Sequence, residues 1–120
     1  METPFQAYNG DGPHVFVCYS HADSHLVYPE LVWLKEQSRN IWYDEGISAG
    51  TVWRAEIAEA IQSASVLLYY ISETSLVSEH CNREVNYALD KGIRIIPALN
   101  ITREALDEGL LILEKVVKGQ

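Results

Sequence analysis

Four short runs in this chain are almost uniformly apolar and rich in β-branched or aromatic residues: His14-Val15-Phe16-Val17-Cys18-Tyr19, Asn40-Ile41-Trp42-Tyr43, Ser65-Val66-Leu67-Leu68-Tyr69-Tyr70-Ile71 and Ile93-Arg94-Ile95-Ile96-Pro97-Ala98-Leu99. A strand with one wet face alternates apolar and polar residues, whereas a strand without alternation is buried on both faces. Both faces of a sheet can be covered only by helices on each side of parallel strands, so these runs constrain the fold more than any other feature.

The segments between them read as those helices. Asp23 or Ser24 can cap a first helix with Leu26, Val27, Leu31 and Leu34 as its apolar stripe and Trp33 packed against the body, and Pro29 falls in its first turns. A second helix is expected over Thr51–Ser63, with Ile57, Ala58, Ile61 and Ala64 inward. A third is capped by Ser78 and ends at Lys91-Gly92, where glycine suits the residue after a helix. The result is a flavodoxin-like α/β sandwich with a central parallel sheet in the order 2-1-3-4. Thr102–Lys118 fits either a closing helix or a fifth strand, and the domain could also be incomplete there.

At 120 residues the chain suits one domain. Residues 1–12, with Pro4, Gly10 and Gly12, read as a flexible lead-in, and residues 13–120 as the domain. A net charge of -8 argues against a nucleic-acid surface, which needs a basic stripe. No apolar run reaches the ~20 residues of a membrane helix and no signal segment is evident, so a cytoplasmic location is expected. Cys18 and Cys81 do not form a disulfide framework. His21 and His25 could share a helix face, but Asp23-Ser24 reads as a helix start between them. No third ligand is evident, so no metal site is expected.

In an open parallel sheet the carboxyl ends of the strands converge on one crevice at the switch point between strands 1 and 3. Tyr19-Ser20-His21-Ala22-Asp23 follows the first strand, Asp44-Glu45-Gly46 the second and Ser72 the third, with Glu84 on the helix soon after. A phosphate-receiving regulatory domain of this topology needs an acceptor Asp at the end of strand 3. That position is Ile71-Ser72, which excludes that class.

Taken together these residues resemble the Toll/interleukin-1 receptor (TIR) domain family. Val15–Asp23 is similar to the family's first box. Ile41–Glu45, followed by Gly46-Ile47-Ser48-Ala49-Gly50 and Trp53, resembles its second strand and the BB loop. Ser72, Ser78, Cys81, Glu84 and Ile95-Ile96-Pro97 match its later boxes in order. The resemblance is strongest over residues 14–99 and looks closest to the bacterial NAD+-cleaving branch.

That resemblance implies an NAD+ nucleosidase that breaks the nicotinamide–ribose bond, giving nicotinamide and ADP-ribose or its cyclic form. The catalytic residue would be Glu84, stabilising an oxocarbenium-like ribose. Tyr19, Ser20, His21, Asp44, Trp53, Ser78 and His80 would bind substrate. Glu45, Gly46, Ile47, Ser48 and Gly50 would form a loop that moves during assembly. NAD+ would be a substrate, with no cofactor. The implied partners are other TIR domains, completing the site across copies, and a fused or separate sensor, in immune signalling or NAD+ depletion. The alternative is a TIR–TIR interaction module without chemistry. His80 stands where bacterial relatives often carry Trp.

Overall fold

The computed structural model describes residues 3–44 and 55–99. β1 (Val15–Cys18), β2 (Ile41–Tyr43), β3 (Val66–Ile71) and β4 (Ile95–Leu99) each fall inside one of the four apolar runs. All are parallel, in the order β2-β1-β3-β4, with Val15 in register with both Ile41 and Val66. This is the flavodoxin-like α/β arrangement expected. The ambiguous stretch over Thr102–Lys118 lies outside the described residues, as do Glu45, Gly46, Ile47, Ser48, Gly50, Trp53 and the expected start of the second helix at Thr51.

Successive strand residues point to opposite faces, and the core divides accordingly. Phe16, Cys18, Leu67, Tyr69 and Ile71 pack on one face against α2 (Ala55–Gln62) and α4 (Glu79–Asp90), meeting Ile57, Ala60, Ile61, Cys81 and Ala88. Val17, Tyr19, Ile41, Tyr43 and Tyr70 pack on the other against α1 (Ser24–Glu36), meeting Val27, Tyr28 and Leu31. Trp42 belongs to the first face, its ring stacked on Phe16 at 4.8 Å.

The helices depart from the sequence reading in four places. On α1 the buried residues are Val27, Tyr28 and Leu31, while Leu26 and Trp33 are 44% and 59% exposed. Trp33 is two positions beyond Leu31, about 200° around a helix, so a side that contains Leu31 turns the indole outward. On α2, Ala60 is buried and Ala58 is only partly so. Asp23 precedes α1 at the cap position, but its side chain caps nothing and bonds elsewhere. A short helix, α3 (Glu73–Leu76), intervenes between β3 and α4. Its cap is reciprocal: Ser75 N–H donates to Ser72 Oγ at 3.1 Å, and Ser72 N–H donates to Ser75 Oγ at 2.8 Å. That motif usually carries Glu or Gln at its fourth position, and serine there hides it from a sequence reading.

The lead-in is also more ordered than its glycines and proline suggest. Tyr8 N–H donates to Ile41 O at 2.8 Å along the free edge of β2, and the Tyr43 hydroxyl donates to Phe5 O. Phe5 packs edge-on against Tyr43. Apolar contact and edge pairing fix a segment that composition alone reads as free. At the other end of α4, Gly92 has φ +71°, Gly92 N–H donates to Leu89 O and Ile93 N–H to Ala88 O. This paired closure needs the left-handed conformation that glycine supplies.

Candidate active site

The site forms where β1, β2 and β3 end. Ser78 caps α4, accepting from Cys81 N–H at 3.2 Å, and this fixes the first turn of the helix. His80 and Glu84 are one helical turn apart and so share a face. His80 Nε2 lies 2.7 Å from Glu84 Oε2 and 3.5 Å from Asp44 Oδ2, the carboxylate immediately after β2. His21, after β1, brings its ring within 5.8 Å of the His80 ring, centroid to centroid. A ligand atom from each of His21, Asp44 and His80 lies within 4.8 Å of the other two.

Glu84 is 2% exposed, which is rare for a carboxylate on a helix. Its Oε2 meets His80 as a close ion pair, but off the direction of the imidazole N–H, and it has no directed hydrogen bond among the described residues. Burial pushes the Glu84 carboxyl above its ordinary range, and contact with His80 opposes the shift. The Glu84 carboxylate in turn raises His80 above the usual histidine value, against the opposing effect of its own partial burial. Burial therefore disfavours the charge on this carboxyl, and the neighbouring imidazole offsets only part of that effect.

The other expected site residues divide between the crevice and its supports. Tyr19 is buried beneath the site, and its hydroxyl donates to Asp44 O at 2.6 Å and lies 3.1 Å from the Tyr28 hydroxyl. Burial, reinforced by Tyr28, pushes its phenol far up. Tyr19 thus positions the Asp44 backbone and rests its ring against His21 at 5.2 Å. Tyr19→Phe would remove this hydroxyl donor from the Asp44 carbonyl, and the expected cost is about 1 kcal/mol in urea unfolding; an unchanged midpoint would mean that the bond is not a support.

Ser78 is occupied as a helix cap. Ser20 is half-buried at the start of the turn His21–Asp23, with no capping hydrogen bond from its side chain. Cys18 on β1 and Cys81 on α4, the helix that carries Glu84, are both free and buried. Burial raises the Cys18 thiol, whereas Cys81 is lowered, chiefly by its contact with Cys18.

A sequence reading misses the brace that ties two of the strand-end loops together. Asp23 accepts from the Ser72 hydroxyl and, at 3.0 Å, from the Thr74 hydroxyl. The residues are 49 and 51 positions apart, so only the strand order brings them together. The brace holds the segment carrying Ser20 and His21 against the loop that leads into α4.

A parallel sheet in the order β2-β1-β3-β4, covered by helices on both faces, defines a flavodoxin-like α/β domain. The chain belongs to the TIR domain family, whose model matches residues 15–115. The TIR domain of the Toll-related receptor TRR-2 from Hydra magnipapillata is similar, with a TM-score of 0.56 at 25% identity over 73% of this chain and 70% of that one. The TIR domains of the activated Roq1 resistosome, which directly recognises the pathogen effector XopQ, give a TM-score of 0.67 at 17% identity. That match covers 78% of this chain and 61% of theirs. No curated protein sequence matches. Among the described residues no helix is long and apolar enough to cross a membrane.

Proposed function

We propose that this TIR domain is an NAD+ nucleosidase of the bacterial branch, active when copies assemble, with Glu84 as its catalytic residue. The observation that carries this reading is the buried Glu84 carboxyl group, in contact with His80 at 2.7 Å, at the crevice where three strands end. Cleavage breaks the bond between the ribose C1′ and the nicotinamide nitrogen. The electron pair goes to that nitrogen, neutralising the pyridinium, so nicotinamide leaves without a general acid. The positive charge passes to the ribose, where the Glu84 carboxylate stabilises it and accepts from a ribose hydroxyl. Water then adds to C1′ and releases one proton, giving ADP-ribose. A nucleophile of the same molecule in place of water gives the cyclic product.

Glu84 is 2% exposed, so substrate reaches it only after a rearrangement. His80, whose side chain is 27% exposed and touches Glu84, is the group that must swing aside. Assembly is the event that drives this opening, and Trp33 and Leu26, apolar and exposed on α1, supply surface for it. In this reading Ser20 and His21 line the path of the nucleotide, and a fused or separate sensor supplies the trigger in cytoplasmic immune signalling. The same exposed apolar residues favour the second reading, a TIR–TIR interaction module without chemistry.

The two readings separate in one assay. Concentrated or artificially tethered protein should release nicotinamide from NAD+, with specific activity falling on dilution as the assembly dissociates. Tethered wild-type protein that leaves NAD+ intact would establish the interaction module instead.

A further inference from the structure

We infer that His21, Asp44 and His80 form a binding site for a divalent transition-metal ion of the zinc class. Two imidazoles and a carboxylate are the donor set that suits zinc and its neighbours rather than magnesium or calcium, which prefer oxygen throughout. Zinc–nitrogen and zinc–oxygen bonds near 2.0–2.1 Å at a tetrahedral angle place ligand atoms about 3.3 Å apart. His80 Nε2 and Asp44 Oδ2 are already 3.5 Å apart. His21 completes the group with all three donors within 4.8 Å of one another, so it must approach by at most about 1.5 Å to reach tetrahedral spacing. It is the exposed member of the three, whereas Asp44 is 6% exposed and held from below by the Tyr19 bond to its backbone. A buried anchor, a half-buried ligand and an exposed closing ligand form an entry path from solvent.

A second, independent observation points into the same space. Glu84 Oε2, on a side chain 2% exposed, has no directed hydrogen bond among the described residues and lies 2.7 Å from His80 Nε2, the nitrogen that would take the metal. An ion on Nε2 displaces the proton there and gives that oxygen a cation to face, which makes Glu84 the natural fourth ligand. The sequence offered His25 as the partner of His21; the fold supplies Asp44 and His80, from elements 23 and 59 positions away.

One consequence rests on the nucleosidase reading above. An ion that engages His80 and Glu84 occupies the catalytic carboxylate and fixes the side chain that has to move, so it inhibits turnover.

The test is a titration of the chelator-treated, metal-free chain with Zn2+ followed by calorimetry, and with Co2+ followed by its visible absorption. Wild-type protein should bind one equivalent, with the intense absorption of four-coordinate cobalt. His21→Ala should weaken binding by at least about tenfold, and His25→Ala should leave it unchanged. Binding that is absent, that survives His21→Ala, or that falls with His25→Ala would overturn the site, the last two outcomes marking adventitious surface histidines. Because the readout is binding, it stands whether or not the protein turns over NAD+. Where nicotinamide release is measurable, Zn2+ should suppress it over the range in which the site fills, and chelator should restore it. Full occupancy with undiminished release would overturn inhibition but leave the site standing.

Discussion

Replacing Glu84 with glutamine should abolish nicotinamide release and, at neutral pH, make the protein harder to unfold. The two effects have one origin. The carboxylate's charge is what stabilises the oxocarbenium-like ribose, and an amide of the same shape cannot supply it. The expected loss is at least about 10³-fold, or roughly 4 kcal/mol of transition-state stabilisation. The same charge is a burden on folding, because burial raises the Glu84 carboxyl above its unfolded range. At a pH below that ordinary range, folded and unfolded chains both carry the neutral acid, and burying it incurs no charge penalty. As pH rises, the unfolded chain ionises first and the folded chain follows against its burial. The penalty therefore grows until the raised folded value is passed and persists above it.

His80 offsets part of this penalty, and the glutamine amide can instead donate to a neutral His80. Glu84→Gln should gain about 1 kcal/mol near pH 7, or roughly 4 °C in melting temperature, and gain nothing near pH 4. These scans belong in chelator, so that metal does not bridge the pair. Retained turnover in the variant would remove Glu84 from the catalytic role. A variant less stable than wild type at pH 7 would show that the ion pair more than offsets burial.

Why the sequence reveals the frame of this site and not its interior follows from which interactions are local. Strand identity was legible because burial on both faces removes alternation, and Ser78 and Gly92 were legible because caps and left-handed closures are set within a few residues. The strand order followed from the connection rules for parallel sheets, and with it the convergence of Tyr19–Asp23, Asp44 and Glu84 on one crevice. Two things were out of reach. Trp33 and Leu26 are as apolar as their buried neighbours, and only the rotation of α1 on the sheet decides which of them faces water. The contact of His80 with Glu84 could be anticipated from their spacing, but its meaning depends on Asp44 arriving from β2 and on the burial of Glu84. Spacing along a helix describes neither. Tyr19 illustrates the same limit: its position at a strand end suggests ligand contact, whereas the depth of its ring makes it a prop for Asp44.

His80→Gln should lower turnover about tenfold at neutral pH and move the acid limb of the pH–rate profile to higher pH, with the loss recovering as pH rises. Glutamine keeps a polar side chain beside Glu84 while removing the positive charge, so burial acts on the carboxyl unopposed and a larger fraction is protonated at a given pH. The stability effect has its own pH window. His80 is raised above its unfolded value by Glu84, so its contribution is fully present below about pH 6.5 and disappears as pH rises through the folded value. It also requires an ionised Glu84, which removes it again towards acid. The stability gap between wild type and variant should therefore be widest near pH 6–7 and close on the alkaline side. A profile that keeps its acid limb in His80→Gln would mean that something other than this imidazolium keeps Glu84 charged. Asp44 cannot serve, since it carries the same sign and raises the carboxyl further. The remaining candidate would be the Cys18 thiol, which lies against the same carboxylate and favours its charged form, so Cys18→Ala in the His80→Gln background would then move the limb that His80→Gln alone did not.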